Sequence, residues 1–415
     1  MRLKTRYLKA VEESNSFKGT CIFMLTLFHQ VLERCYAYYI SCFFPVNEFV
    51  VILRSMPDYA DNARALADFM LENGYDNKYK IYFDVKDRDY YQKRNKSVSF
   101  ITSKAKYGKY KLGSLRLLLT AGYLMSTHGM MVDHNFARKA QHRILLWHGC
   151  GYKDKSKADG ESSKVFDKVL VPGELFVKTK AYFWNIDESL ILPIGYPRYD
   201  WLKMRDMGAK RLIDTFRNDQ DTKVILWMPT YRADKTNRYT DSDTITQFPL
   251  MNSTEEWIDL DKYCIELNIS LLVKLHPYQK KYDIPFSHFE NIKEIDNQIF
   301  EEADVPMYKF IALTDALISD YSSVAVDYLI VNRPIAFTLD DFEAYKKTRG
   351  FVFENPLIYM PGHHLYNIDD MKHFLSDVSR GLDPYKDQRA LVSAKAIYPS
   401  DNYCQSILNR IGITI

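Results

Sequence analysis

Leu317-Ile318-Ser319-Asp320-Tyr321-Ser322-Ser323-Val324-Ala325-Val326-Asp327-Tyr328 passes from an apolar strand through a tight polar turn into an apolar helix. Ser and Asp at such a point are good helix caps, because their side-chain oxygens accept from otherwise orphaned backbone N–H groups. The same geometry aims free N–H groups and the positive end of the helix dipole at any anion. The two readings are compatible, and both are expected here. A strand that turns directly into a helix is also the repeating unit of a parallel sheet covered by helices.

Working outward, the chain repeats this unit. Phe49-Val50-Val51-Ile52-Leu53 is a buried-strand run, and 58–73 follows with Ala63, Leu66, Phe69 and Met70 at helical spacing before Gly74. Strands are expected over 79–85 and 143–147. A polar, charged stretch over 205–222 then leads to further strands at 223–228, 269–275, 315–319 and 334–338. At 415 residues the chain is long for a single core. The expected fold is α/β, with two Rossmann-like doubly wound domains facing a central cleft, at 1–210 and 211–415. The last helix of the second is free to cross back. The polar segment 233–246 reads as a mobile loop.

In such folds ligands meet the carboxyl ends of the strands, so the residues there matter most. His148 follows Leu145-Leu146-Trp147 and precedes Gly149-Cys150-Gly151-Tyr152-Lys153. A histidine titrates near neutral pH and suits general-base work at a cleft, although a lone histidine there is also an ordinary structural residue. Gly195-Tyr196-Pro197-Arg198-Tyr199-Asp200 is first a turn, with Arg198 and Asp200 placed to pair across it. Pro229-Thr230-Tyr231-Arg232 sets a hydroxyl and a guanidinium at a strand mouth, where Arg232 can clamp a phosphate or hold a carboxylate. In Lys274-Leu275-His276-Pro277, alternation puts Lys274 and His276 on one side, which suits a diphosphate or a solvated strand end.

The net charge of +3 gives no argument for nucleic acid as a partner. The cysteines show no CxxC or His-Cys metal spacing and read as reduced thiols of a cytoplasmic protein. No carboxylate cluster stands out, so no metal ligand is assigned and a divalent cation is left open as a cofactor. A GxxxxGK[ST] loop, a zincin motif and a nucleophile elbow are all missing. The N-terminus has Arg2, Lys4, Arg6 and Lys9, then apolar runs over 19–32 and 35–46. Neither run reaches the roughly 20 residues that span a bilayer. They read as core helices or as a basic, aromatic contact with an anionic membrane surface within 1–46. Lys104, Lys106, Tyr107, Lys109, Tyr110, Lys111 and Arg116 offer a second basic-aromatic run for anionic lipid, a phosphate-bearing acceptor or plain solvent.

Taken in order, Trp147 to Lys153, Gly195 to Asp200, Pro229 to Arg232, Lys274 to Pro277, Asp320 to Tyr328 and Arg349 to Phe351 resemble the CDP-glycerol:polyglycerophosphate glycerophosphotransferases of teichoic-acid and capsule synthesis. The resemblance covers roughly 49–353. It implies a GT-B-like fold with CDP-glycerol or CDP-ribitol held mainly by the second domain and a polyol-phosphate or glycan acceptor entering over the first. It further implies catalytic roles for His148 as general base and for His276 at the diphosphate. Arg232, Thr230, Lys274, Ser322 and Ser323 would bind the donor. Gly149, Lys153, Arg198, Asp320, Asp327 and Arg349 would support them. The family often has Thr-Pro-Leu where this chain has Cys150-Gly151-Tyr152, and acidic residues leading to Pro-Gly-Pro where this chain has Glu354-Asn355-Pro356 and Pro361-Gly362-His363-His364. Both departures are expected where polyol or acceptor is read.

Three other readings stand beside glycerol-phosphate transfer. One is ribitol-phosphate transfer, another a nucleotide-sugar glycosyltransferase of the same architecture, and the third a scaffold that binds anionic polymer without catalysis. Cytidine-nucleotide binding separates the scaffold from the transferases. The expected location is cytoplasmic, peripheral on the inner face of the cell membrane.

Overall fold

A computed structural model describes residues 17–104, 110–133, 136–153, 165–230, 248–275 and 284–415, with side chains from residue 28 onward. The chain forms two compact units, one of Met1–Leu146 with Lys164–Lys168 and Ile415, the other of Trp147–Ser163 with Val169–Thr414.

In the first unit β1 (Asn47–Arg54), β2 (Lys80–Asp84), β3 (Ser99–Ile101), β4 (Ala121–Ser126) and β5 (His142–Leu145) lie in the order β3-β2-β1-β4-β5. Every pairing between them is parallel. Val50 to Leu53 is buried without alternation, as a strand covered on both faces must be. The chain runs outward from β1 to β3 and then returns to β4, so the topological switch falls between β1 and β4. Arg54 is in register with Ser126 there, and the Met56 N–H donates to the Thr127 hydroxyl. The helix Asp61–Glu72 buries Ala63, Leu66 and Met70, and Gly74 ends it at φ +75°.

The N-terminal apolar runs form one helix, Phe17–Phe43, rather than two. Glu33 and Arg34 do not interrupt it, because both are good helix formers. Ala37 and Ile40 enter the core with Leu115, Leu118 and Val50. Glu33 is buried and accepts from the Tyr110 N–H at 2.7 Å. The opposite face is apolar and open, with Phe28 62%, Tyr38 75% and Phe43 69% exposed. The core reading of this segment thus holds for the face that carries Ala37 and Ile40. Among the described residues no helix is long and apolar enough to cross a membrane. Tyr110 is part of the core and donates to the Met131 carbonyl. Burial pushes its phenol up to about 12, and Tyr110 is therefore a core member of the basic-aromatic run, not a surface one. Residues 105–109 of that run lie outside the described residues.

The second unit carries a short parallel pair, β6 (Lys168–Leu170, its first residue counted in the first unit) with β7 (Ile191–Leu192). It also carries a six-stranded sheet. That sheet consists of β8 (Lys223–Trp227), β9 (Ile269–Lys274), β10 (Ile292–Ile295), β11 (Ala316–Ser319), β12 (Ile335–Thr338) and β13 (His363–Leu365), in the order β10-β9-β8-β11-β12-β13. Its neighbouring strands all pair in parallel. The switch point lies between β8 and β11. The charged stretch over 205–222 contains the helix Met207–Asp214, capped by Asp206 on the Ala209 N–H at 2.8 Å. Residues 233–246 lie outside the described residues.

Candidate active site

Because β8 and β11 are parallel neighbours, their carboxyl ends emerge side by side. Met228 extends the ladder by donating to the Ile318 carbonyl at 2.8 Å, and the Ser319 hydroxyl donates back to the Met228 carbonyl. Beyond them the fully buried Asp320 accepts from the Thr230 N–H at 2.8 Å and from the Thr230 hydroxyl. The proton of Thr230 is therefore committed to the turn. Tyr321 is also buried and donates to Asp341 at 2.8 Å. With the turn bolted on both sides, Ser322 and Ser323 are left half-buried at its tip. The helix runs Ser323–Tyr328, and Ser322 holds the N-cap position without a side-chain capping hydrogen bond. The side-chain cap expected of Ser322 is not formed.

The segment from Trp147 to Lys153 lies directly on this turn. Gly149 has φ +135°, and a Cβ there would stand 2.4 Å from the Ser323 hydroxyl oxygen. A Cβ on Gly151 would stand 2.9 Å from both the Ser323 nitrogen and the Tyr321 carbonyl oxygen. Only glycine permits this approach of backbone to backbone. On the other side, the Val352 N–H donates to the Tyr152 carbonyl at 3.0 Å, and Lys153 pairs with Phe351. Three of the sequence motifs are thereby layered, with the Trp147–Lys153 segment between the serine turn and the Arg349-Gly350-Phe351 stretch.

His148 is half-buried in this segment. Trp147 before it has φ +55°, a conformation costly for a bulky residue. Its ring packs 3.9 Å from the His148 ring and edge-on to Trp184 at 4.8 Å. Arg198, 1% exposed, donates to the His148 carbonyl at 3.0 Å and to the Asp327 carboxylate at 2.6 Å. Tyr199 and Tyr308 also donate to Asp327, at 2.7 and 2.8 Å. Burial pushes the Asp327 carboxyl up, while Arg198 and the two phenols pull it down. The expected pairing of Arg198 with Asp200 is corrected by this geometry. Asp200 instead accepts from the Tyr403 and Cys404 N–H groups at the start of the helix Tyr403–Arg410, because its short side chain reaches those amides directly.

Cys150 and Tyr152 are buried. The Cys150 thiol sits 3.2 Å from the Tyr196 hydroxyl, and the Tyr152 hydroxyl donates to the Tyr359 carbonyl at 2.7 Å. The side chains that mark the departure at Cys150-Gly151-Tyr152 are thus packed inside. The second departure places His363 and His364 on β13, where they line a cavity of about 270 Å³ with Asp370, His373 and Tyr385. That cavity shares none of its lining with His148 or the serine turn.

Lys274 is buried at the end of β9, and burial lowers its ammonium to about 8 against the opposing pull of Asp296. A buried, readily discharged cation at a strand mouth is a mark of a functional site. Arg349 follows the helix Phe342–Thr348 and donates its N–H to the Tyr345 carbonyl. Arg232 and His276 lie outside the described residues. Sequence reading passed over Tyr199 and Tyr308, whose burial has no local signal. It also passed over Thr127 and His128, which contact each other at 2.9 Å beyond β4; the small residues of Ala121-Gly122 hid that strand. Among the described residues no group of three His, Cys, Asp or Glu could hold a metal ion.

Residues 36–411 match the sequence pattern of the CDP-Glycerol:Poly(glycerophosphate) glycerophosphotransferase family. The chain is 27% identical over 286 residues to a teichoic acid ribitol-phosphate primase of Bacillus spizizenii, covering 64% of this chain and 67% of that one. It is also 27% identical over 318 residues to a teichoic acid glycerol-phosphate primase of Bacillus subtilis, covering 71% and 76% respectively. Among solved structures, the wall teichoic acid polymerase TagF matches with a TM-score of 0.70 at 20% identity, over 94% of this chain and 97% of that one. The fold is GT-B-like.

Gly149→Ala is expected to lower stability by about 1–3 kcal/mol, since the methyl group cannot enter without moving Ser323. Urea denaturation checks this, and an unchanged midpoint would show that the approach is looser than the structure has it.

Proposed function

The chain belongs to the CDP-glycerol:poly(glycerophosphate) glycerophosphotransferase family, and from that premise we propose that it transfers glycerol phosphate from CDP-glycerol to a hydroxyl of a teichoic-acid-like or capsular polymer. The observation that carries this reading is the packing of the His148 segment on the Ser322–Ser323 turn within one unit. On this reading His148 is the base and the start of the helix at Ser323 receives the anion, and the close backbone approach supports their acting together.

In the proposed reaction His148 takes the proton of the acceptor hydroxyl. The freed oxygen attacks the β-phosphorus, a new P–O bond forms, and the bond to the bridging oxygen breaks. CMP leaves with that electron pair, and the product is a phosphodiester. Ser322, Ser323 and Lys274 are assigned to the diphosphate, with Thr230 shaping the turn behind them. Arg232 and His276 are assigned to the charge that builds on the departing phosphate. Positioning and charge stabilisation supply most of the rate in phosphoryl transfer. The donor is assigned to 211–415 and the acceptor entry to 1–210. Ribitol phosphate from CDP-ribitol is the second reading, favoured by the likeness to a ribitol-phosphate primase.

The enzyme is assigned to the cytoplasmic face of the membrane. The open apolar stripe Phe28, Val31, Leu32, Tyr38, Tyr39 and Phe43 supports a peripheral contact there.

Purified protein given a phosphopolyol acceptor should release CMP from one of the two donors, and His148→Ala should abolish release while donor binding persists. Equal loss of binding would remove His148 from the role of base. A neutral Lys274 cannot hold a diphosphate, so kcat/KM for the donor should fall as pH rises through about 8. Lys274→Arg should remove that inflection, and a flat wild-type profile would exclude Lys274 from the donor site. Replacing Phe28, Tyr38 and Phe43 by Ser should weaken co-sedimentation with anionic vesicles; unaltered binding would place the contact elsewhere.

A further inference from the structure

We infer that Arg198 is a positioning residue for His148, a single guanidinium that sets the distance between the general base and the helix carrying Ser323. The inference rests on the reading of His148 as the base. One terminal nitrogen of Arg198 donates to the His148 carbonyl at 3.0 Å, and the other to Asp327 at 2.6 Å. Asp327 belongs to the helix that begins at Ser323. A planar fork of fixed width thus joins the backbone of the base to the helix of the anion site.

Both charges are almost completely buried, each side chain being 1% exposed. Removing two charges from water is rarely repaid in stability, and an apolar pair of similar volume often serves as well. What an apolar pair cannot do is grip a carbonyl. The His148 carbonyl needs a grip, because Trp147 before it is held at φ +55°. The phenols of Tyr199 and Tyr308 fix the far end by holding Asp327 in place. Gly149 is the matching clearance, since a Cβ there would come 3.1 Å from the Arg198 terminal nitrogen. Lysine cannot substitute, because one ammonium replaces a fork with a single point of attachment.

The test is CMP release by Arg198→Lys and by Arg198→Met combined with Asp327→Leu, which removes both charges and orphans neither. Melting temperatures and the imidazole resonances of His148 are recorded on the same samples. For variants that melt near the wild type, donor KM should stay within about 2-fold while kcat falls on the order of 100-fold, as misplacement of a reacting group by about 1 Å produces. The His148 resonances should move. A folded variant with wild-type kcat, or unmoved His148 resonances, overturns the inference. If the double variant does not fold, Arg198→Lys decides alone. If wild-type protein releases no CMP, the transferase reading fails, and the resonances alone decide whether Arg198 sets His148.

Discussion

Everything at the candidate site depends on one close approach, in which the backbone at Gly149 and Gly151 rests on the turn Tyr321-Ser322-Ser323. Side chains of any size there would hold the two segments apart by a full van der Waals layer. With hydrogen in their place, a histidine and a pair of hydroxyls from distant parts of the sequence share one small region. Arg198, Tyr199 and Tyr308 then lock the arrangement from beneath through Asp327. The segment around His148 is clasped on its other side by Phe351 and Val352.

The sheet supplies the location. A parallel sheet that is wound outward from β8 and then from β11 leaves a crevice where the two directions part. Thr230 and Asp320 close the floor of that crevice with buried hydrogen bonds, so the serines above it have a rigid base. Lys274 stands on the next strand at the same edge. Burial weakens its hold on its proton, against the opposing pull of Asp296. The first unit repeats the winding, with Arg54 and Ser126 in register at its own switch.

The long buried strands were legible because their apolar runs are bounded by turn residues, as at Val50 to Leu53 and Ile269 to Lys274. Short or small-residue strands such as β4 and β13 were not, since Ala-Gly and His-His carry no strand signal. The residues of the serine turn and of the His148 segment could be named from their motifs. Their mutual contact could not, because it depends on what a missing Cβ allows across a separation of more than a hundred residues. The partner of Arg198 was misread for a related reason. Asp200 is near in sequence, whereas Asp327 is near in space. At the N-terminus two apolar runs form one helix that packs on one face and leaves the other open, a division that run length alone does not encode.

The most direct measurement is the position of the diphosphate in a crystal of the His148→Ala protein grown with CDP-glycerol. The account expects the β-phosphate within hydrogen-bonding distance of Ser322 and Ser323, with the space left by the imidazole facing the phosphorus. A diphosphate bound elsewhere, for example in the cavity beside His363, would contradict it.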